Sequence, residues 1–330
     1  MIKVAVVGLG LMGTRRTAIA QAHQDCEVTR VYDLSSELTL ATAARLGAVP
    51  CQSWKSCVQA RDIDVVVVST PNAVKDLITA RALQAGKAVL AEKPPARDLS
   101  GLRTILAALD LGGGMLKVGF NYRYFRGLRA AERTLASGEI GELINYRLRH
   151  GHGGRPGYSA DWRFDPVQSG GGELTDQGCH ALDLALWLAG PVTRASCELQ
   201  RGAWGQQAVE DNAFVTLRHG DVVGQIHVSW TSWKNQFSLE VFGTSGAVVV
   251  DGLGGSYGPQ QVITFRRPPR GGPPDELRRS YPDESAMTSL EREWDDFVGA
   301  VRCSPPGPPQ WREQAAHCAE LIDRLYASAA

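Results

Sequence analysis

The sequence predicts an α/β protein of two domains, the first with a parallel sheet and the second with an open, mainly antiparallel sheet. Three observations predict this class. The first third of the chain alternates short β-branched runs with helical stretches, and a glycine-rich turn follows the first run. After about residue 122 the pattern changes to successive strand candidates that are separated by short turns. Alternation of strands and helices is typical of a parallel sheet, whereas strands in direct succession favour an antiparallel one.

The N-terminal strands are predicted over five apolar runs: "IKVAVVG", "EVTRVYD", "DVVVVST", "KAVLAEKP" and "MLKVGFNYR". Continuous valine-rich runs indicate strands that are buried on both faces, as in a parallel sheet covered by helices. The helical stretches between them include "SELTLATAARLG" and "VKDLITARALQAG". We therefore place a first domain over residues 1–122.

The C-terminal domain is predicted over residues 123–330. Its strand candidates are "ELINYRLRHG", "TRASCELQRG", "NAFVTLRHGD", "VVGQIHVSWTS", "QFSLEVFGTSG" and "AVVVDG". Two stretches rich in proline and glycine, "RRPPRGGPPDE" and "CSPPGPPQ", are interpreted as surface loops, and two helices close the chain.

Composition excludes several functional classes. The chain has 330 residues, of which 43% are hydrophobic, and 35 basic side chains balance 35 acidic ones. This balance gives no reason to expect a nucleic-acid or membrane partner. The seven cysteines contain no C-x-x-C pair, so neither a disulfide framework nor a metal site is expected. The apolar start is too short for a signal peptide, and we expect a cytoplasmic protein.

The glycine-rich turn predicts a dinucleotide site. Gly8, Gly10 and Gly13 form G-x-G-x-x-G around Leu11 and Met12, between the first strand and the first helix. In a Rossmann fold such glycines allow a tight turn, close approach of a pyrophosphate and close packing of the helix. Asp33 ends the second strand, and its charge would oppose a 2′-phosphate. The expected cofactor is therefore NAD rather than NADP.

A second pattern lies in "ELTDQGCHALDLALWL", residues 173–188, where polar side chains interrupt an apolar helix. Asp176, His180, Asp183 and Trp187 recur at helical spacing and would share one face. One interpretation is a capping aspartate beside a hydrogen-bonded core histidine. The other is a carboxylate that orients an imidazole for general acid/base chemistry. The pattern alone leaves both open.

Read in order, four segments resemble the glucose–fructose oxidoreductase / inositol 2-dehydrogenase / rhizopine catabolism family over nearly the whole chain. They are "GLGLMG", "STPNAVKDLITARALQAGKAVLAEKP", "VGFNYRYF" and "GGGELTDQGCHALDLALWLAG". The resemblance implies a Rossmann domain, an open-faced α/β domain, NAD(P) and usually a sugar or cyclitol alcohol as substrate. It implies catalytic roles for Lys93, Asp176 and His180. Lys75 departs from the family, which usually has histidine there, and leaves the local polar network in doubt.

The resemblance also assigns binding residues. The cofactor is expected near the glycine turn, Asp33, Ser69, Thr70, Pro71, Asn72, Glu92, Lys93 and Asn121. Substrate is expected near Arg123, Trp162 and Arg163, and strand alternation adds His152.

Together these residues predict an NAD-dependent dehydrogenase that oxidises a secondary ring hydroxyl of a sugar, aminosugar or cyclitol, or reduces the ketone. His180 would take the hydroxyl proton, Asp176 would fix its tautomer, and Lys93 would stabilise the developing alkoxide. Two alternatives stay open: an NAD-using glycoside hydrolase of the same fold, and a non-catalytic dinucleotide-sensing regulator. The intact catalytic residues weigh against the regulator.

The predicted partners are a small polyol or sugar substrate and further copies of this chain. Ile226, Val228 and Trp230 alternate on one face of a strand. If that face were exposed, it would be costly in a monomer, so we expect a homo-oligomer, a dimer or tetramer, built through the C-terminal sheet.

Overall fold

The computed structural model describes residues 1–205, 208–303 and 307–329. Two compact units divide the chain: Met1–Phe120 with Leu290–Ala319, and Asn121–Ser289 with Glu320–Ala330. The sequence predicts one domain over residues 123–330, whereas most of the penultimate helix belongs to the first unit. The reason is burial, because Glu293, Trp294 and Phe297 of that helix are each 0% exposed. The limits of the functional domains stay a prediction.

The first unit contains a sheet of six parallel strands in the order β3-β2-β1-β4-β5-β6. The strands are β1 (Ile2–Val7), β2 (Cys26–Tyr32), β3 (Val49–Pro50), β4 (Val65–Val68), β5 (Ala88–Ala91) and β6 (Met115–Val118). All four valines of β4 are 0% exposed, as expected for a central strand covered on both faces. This strand order is that of a doubly wound dinucleotide-binding sheet. The predicted parallel sheet is confirmed.

Helices connect these strands. They are α1 (Leu11–Ala22), α2 (Ser36–Leu46), α3 (Trp54–Val58), α4 (Asn72–Gln84) and α5 (Leu99–Gly112). The side chains of Ser35 and Asp98 cap α2 and α5 by accepting backbone N–H groups of the first turn, and Gly47 ends α2 with a positive φ. Short β3 and α3 were not predicted.

The second unit contains an eight-stranded sheet in the order β14-β13-β12-β11-β7-β10-β9-β8. The strands are β7 (Leu143–Gly151), β8 (Arg194–Gln200), β9 (Asn212–His219), β10 (Val222–Ser229), β11 (Gln236–Gly243), β12 (Gly246–Asp251), β13 (Gln260–Arg266) and β14 (Asp275–Tyr281). Neighbours pair antiparallel except β7 and β10, which are parallel. The mainly antiparallel sheet is confirmed, but the edge strand β14 and its neighbour β13 were not predicted.

Helices of the second unit are α6 (Arg126–Ala136), α7 (Pro166–Ser169), α8 (Glu173–Asp176) and α9 (Gly178–Ala189). The continuous helix expected around His180 is interrupted at Gln177, so Asp176 ends α8 and His180 lies in the first turn of α9. The chain closes with α10 (Ala286–Cys303) and α11 (Pro309–Ser328). The predicted loop "CSPPGPPQ" lies between them, and its residues 304–306 are outside the described residues.

The apolar face that predicts a homo-oligomer is covered within the second unit itself, so that reason for the prediction is wrong. Ile226, Val228 and Trp230 do share one face of β10, but they are 3%, 0% and 0% exposed within the unit itself. They belong to its own core and are not an open apolar face. The opposite face carries Arg147, which is exposed, with Phe214, which is 47% exposed. The oligomeric state stays a prediction without that reason.

Candidate active site

In the first unit, the residues expected to bind the cofactor lie at one edge of the sheet. Gly8 follows β1, Asp33 follows β2, Ser69 follows β4 and Glu92 follows β5. Because these strands are parallel and adjacent, their carboxyl ends meet at the same edge. In open α/β sheets ligands bind at this edge.

The glycine turn has no room for side chains at two of its three glycines. Gly8 has a φ of +89°, and a Cβ there would lie 2.6 Å from the carbonyl oxygen of Ser69. A Cβ on Gly13 would lie 1.8 Å from the carbonyl oxygen of Gly8, so α1 can only pack this closely with glycine. At Gly10 a Cβ would meet no atom of the described residues within 4 Å, which leaves the backbone open to a ligand.

Two observations show that the turn fits a dinucleotide. Gly10 is the N-cap of α1 and has no side chain to accept the first N–H groups, so they and the helix dipole can serve a pyrophosphate. The hydroxyl oxygens of Ser69 and Thr70 are buried, and neither has a hydrogen-bond partner among the described residues. Buried polar atoms of this kind are usually paired, and a bound ligand would supply the partner.

Asp33 joins the end of β2 to the glycine turn. Its Oδ2 accepts the backbone N–H of Leu9 at 2.7 Å, and Oδ1 accepts that of Ser35 at 2.9 Å. Each carboxylate oxygen keeps a further lone pair, so the group can still accept ribose hydroxyls.

Glu92, beside the expected catalytic Lys93, is held by a buried ion-pair cluster. Its Oε1 lies 2.8 Å from Nε of Arg16, and Nη2 of Arg16 lies 2.6 Å from Oε2 of Glu293. Burial lowers the pKa of Arg16, but Glu293 and Glu92 outweigh it and the pKa is raised. The guanidinium thus remains charged and fixes the start of the Lys93 segment.

Lys75, which stands where the family usually has histidine, forms a buried polar network of its own. Its side chain is 0% exposed, and Nζ donates to Oδ1 of Asn72 at 3.2 Å and to the carbonyl oxygen of Pro94 at 2.5 Å. It therefore links the segment after β4 to the residue that follows Lys93.

In the second unit, Glu210 holds the start of α8. Its Oε1 accepts the backbone N–H groups of Gly172 at 3.1 Å and Leu174 at 3.0 Å, and the hydroxyl of Tyr326 at 2.7 Å. Gly172, the N-cap of α8, has no side chain of its own to do this. Because α8 carries Asp176 and α9 follows at once with His180, Glu210 and Tyr326 support both residues.

Both arginines expected to bind substrate are engaged by carboxylates. Arg163 donates from Nε to Oδ2 of Asp176 at 2.8 Å and from Nη1 to Oδ1 of Asp161 at 2.9 Å. Arg123 makes a two-pronged pair with Asp183, at 2.8 and 2.7 Å. These pairs tie the arginines to α8 and α9, so their side chains are placed before any ligand arrives.

Aromatic rings contact several of the expected residues, among them His180 and His152. His180 stacks on Tyr122, and the hydroxyl of Tyr122 lies 3.1 Å from Nε2 of His150. His152 accepts the backbone N–H of Gly154 at Nδ1, 2.9 Å away. The guanidinium of Arg163 lies over the ring of Trp162, 4.8 Å from its centroid. Asn121 donates to the hydroxyl of Ser289 at 2.8 Å.

Sequence reasoning missed Tyr122, Glu210, Tyr326 and Arg16. Tyr122 had a signal, since it lies between Asn121 and Arg123, which were both singled out. Glu210 and Tyr326 are 38 and 154 residues from Gly172 in sequence, and no local pattern joins them.

Two family models match the chain. The model described as "Oxidoreductase family, NAD-binding Rossmann fold" matches residues 2–120, and the "GFO/IDH/MocA C-terminal domain" model matches residues 128–249. Among the described residues, no helix combines the length and apolar character that crossing a membrane requires.

Named proteins are similar over much of the chain. Levoglucosan dehydrogenase of Pseudarthrobacter phenanthrenivorans is 26% identical over 66% of this chain and 63% of its own length. Inositol 2-dehydrogenase of Rhizobium meliloti is 26% identical over 76% of each protein. A putative UDP-kanosamine synthase oxidoreductase subunit of Amycolatopsis mediterranei is 26% identical over 99% of this chain and 96% of its own.

Solved structures share the fold. Levoglucosan dehydrogenase in complex with NADH superposes with a TM-score of 0.86 at 22% identity, covering 99% of this chain and 96% of that one. GenD2 from gentamicin A biosynthesis, in complex with NAD, has a TM-score of 0.83 at 27% identity, covering 99% and 94%. The chain therefore belongs to the GFO/IDH/MocA family of oxidoreductases and has an NAD-binding Rossmann domain at its N-terminal end.

Proposed function

We propose that the protein is an NAD-dependent dehydrogenase that oxidises a secondary ring hydroxyl of a sugar, aminosugar or cyclitol, or reduces the corresponding ketone. One observation carries the proposal. A histidine and an aspartate lie on a helix pair whose start is held by the buried Glu210, in a chain with an NAD-binding domain. Bound NAD supplies the acceptor for the hydride that leaves the carbon.

The protein's own task is to handle the hydroxyl proton and the charge on its oxygen. His180 in its neutral form takes the proton, a contribution of about 10²- to 10⁴-fold in rate for general-base catalysis. The role proposed for Lys93 is to stabilise the developing alkoxide with its positive charge. Asp176 stabilises the charged imidazolium, while Arg163 holds the carboxylate at 2.8 Å.

The substrate class is supported by the similar proteins. Their names include levoglucosan, inositol and 1,5-anhydro-D-fructose, all polyhydroxylated rings or close derivatives. GenD2 comes from the biosynthesis of gentamicin A, an aminoglycoside, and this adds aminosugars to the set to be tested. Arg123 and Arg163, His152 and Trp162 are proposed to contact that ring.

The test is NADH formation with a panel of levoglucosan, myo-inositol, hexoses, aminosugars and aminoglycosides, with NADP as a parallel cofactor. We expect a substrate whose turnover His180→Ala reduces by at least 10²-fold. His317→Ala, in α11, is the matched control and should keep its activity. Turnover that survives His180→Ala would remove the proposed base, and product without net NADH would favour a hydrolase.

A further inference from the structure

The imidazole of His180 lies face to face on the phenol ring of Tyr122. The ring centroids are 4.0 Å apart and the planes differ by 9°. Both residues are buried, with 5% of His180 and 9% of Tyr122 exposed. A ring stacked in this way covers one face of the imidazole and restrains its plane, while both nitrogens lie on the edge of the ring, away from the stack.

Tyr122 is itself held from several sides. Its hydroxyl lies 3.1 Å from Nε2 of His150, which is 1% exposed, and the same nitrogen lies 3.3 Å from the hydroxyl of Tyr257. Phe125 and Phe237 meet the Tyr122 ring nearly at right angles, at centroid distances of 5.5 and 6.1 Å. The bond to His150 opposes a swing of the whole side chain about Cα–Cβ, and the edge contacts of Phe125 and Phe237 oppose rotation of the ring about Cβ–Cγ.

Tyr122 cannot be a base in its own right. Burial, and then the charges of Tyr257 and Glu173, raise the pKa of Tyr122 well above its usual value. Cys179 and Asp176 act in the same direction. The phenol therefore stays protonated and neutral at ordinary pH, and its observed contact with His180 is the stack of the two rings.

We propose that Tyr122, locked by His150, is a positioning residue for His180: its ring sets the plane in which the imidazole accepts the substrate proton. This rests on the proposed function, in which His180 is the base. Proton transfer to an imidazole runs in the ring plane along the nitrogen lone pair, so a tilted ring loses alignment. The electron-rich face of the phenol also favours the imidazolium that forms.

Two variants separate the ring from its hydroxyl. Tyr122→Phe keeps the stack and loses the bond to His150, whereas Tyr122→Leu loses both. With a substrate from the panel, we expect kcat to fall about 10²-fold in Tyr122→Leu, the order of loss for a misplaced catalytic group. In Tyr122→Phe the expected loss is about fivefold, which corresponds to one hydrogen bond. The KM for NAD should not change in either.

The bond to His150 is tested by a double-mutant cycle. His150→Asn should slow kcat as Tyr122→Phe does, and the double variant should lose little more than either single one, because both changes break the same bond. If the fold-losses in kcat of the two single variants multiplied in the double variant, the two residues would act independently. That result would overturn the claim that His150 holds Tyr122 in place.

A readout that needs no substrate is the carbon–proton NMR spectrum of the histidine rings. The protein has seven histidines, and His180→Gln assigns the resonance of His180. We expect that resonance to be shifted upfield by the Tyr122 ring in the wild type and in Tyr122→Phe, and to return towards the random-coil position in Tyr122→Leu. An unshifted wild-type resonance overturns the proposal, even if Tyr122→Leu fails to fold.

The two proposals can fail separately. If His180→Ala keeps its turnover, the proposed base is lost whatever the NMR spectrum shows. If His180→Ala is inactive but folded Tyr122→Leu keeps wild-type kcat, His180 is still the base and only its positioning by Tyr122 is wrong.

Discussion

The carboxylate of Glu210 accepts the hydroxyl of Tyr326 at 2.7 Å, across 116 residues of sequence. The same oxygen accepts the N–H groups that open α8. Glu210→Ala would leave two buried N–H groups without this acceptor, at about 1–3 kcal/mol each. We expect a loss of about 2–6 kcal/mol in the free energy of unfolding, measured in urea, with Tyr326→Phe losing about 1 kcal/mol.

Glu198→Ala is the matched control for this change, because Glu198 is an exposed glutamate of the same unit. Its free energy of unfolding should lie within about 0.5 kcal/mol of the wild-type value. If Glu210→Ala behaved like the control, Glu210 would not be what holds α8.

Asp33 should decide between the two nicotinamide cofactors. Asp33→Asn keeps an oxygen for the N–H of Leu9 but removes the negative charge. We expect the preference for NAD over NADP, as a ratio of kcat/KM, to fall by at least about tenfold, since a 2′-phosphate is no longer repelled. Glu37→Gln, an exposed change nearby on α2, should leave the ratio as it was. An unchanged ratio in Asp33→Asn would show that the charge has no part in cofactor choice.

Lys75 should be needed for the segment that carries Lys93. Lys75→Met leaves the Pro94 carbonyl and the Asn72 amide oxygen without their charged donor. Hydrogen bonds to charged groups contribute about 1.5–3 kcal/mol, so we expect kcat/KM to fall about 10- to 100-fold. Lys55→Met, at an exposed position, is the control, and Lys75→His tests whether the residue usual in the family restores activity. Full activity of Lys75→Met would make Lys75 dispensable.

Acid should destabilise the second unit through His219. The carbonyl oxygen of Gly190 can only accept, so Nδ1 of His219 carries the ring proton and donates to that oxygen at 2.8 Å. Nε2 of His219 then accepts from the hydroxyl of Tyr146 at 2.9 Å. Burial lowers the pKa of His219. In the unfolded chain this histidine has an ordinary pKa of about 6.5. Between that value and the lower pKa of the folded protein, the unfolded chain binds more protons than the folded one, so stability falls as the pH drops below about 6.5.

His219→Asn keeps a donor for the Gly190 carbonyl but does not titrate. We expect it to be less stable than the wild type near neutral pH and to lose less stability between about pH 7.5 and 5.5. Urea midpoints at both pH values measure this. Carboxyl groups with raised pKa, such as Glu210, act with the opposite sign but are present in both proteins. Equal acid losses in the two proteins would contradict the account.

The sequence predicted what is local and periodic. The glycine turn, its strand and its helix occupy adjacent residues, and valine-rich β4 can only be a buried strand. It could not predict that Ile226, Val228 and Trp230 face the core, because a period of two says which residues share a face and not what covers it. Edge strand β14 was not predicted because six of its seven residues are exposed and its sequence has no apolar pattern.

In the candidate site, too, the sequence predicted local features and not the contacts between distant segments. Asp176 and His180 were found from helical spacing and family motifs, whereas their supports come from distant segments: Glu210 before β9, Tyr326 in α11 and His150 at the end of β7. Contacts between residues so far apart in sequence are made by tertiary packing, which one sequence does not encode in any local pattern.

The most direct test of the proposed function follows the hydrogen itself. An accepted substrate is labelled with deuterium at the carbon to be oxidised, and the NADH is examined by mass spectrometry after one turnover. We expect deuterium on the nicotinamide ring with the wild type, and NADH formation at least about 10²-fold slower with His180→Ala. Unlabelled NADH, or product released without NADH, would contradict it.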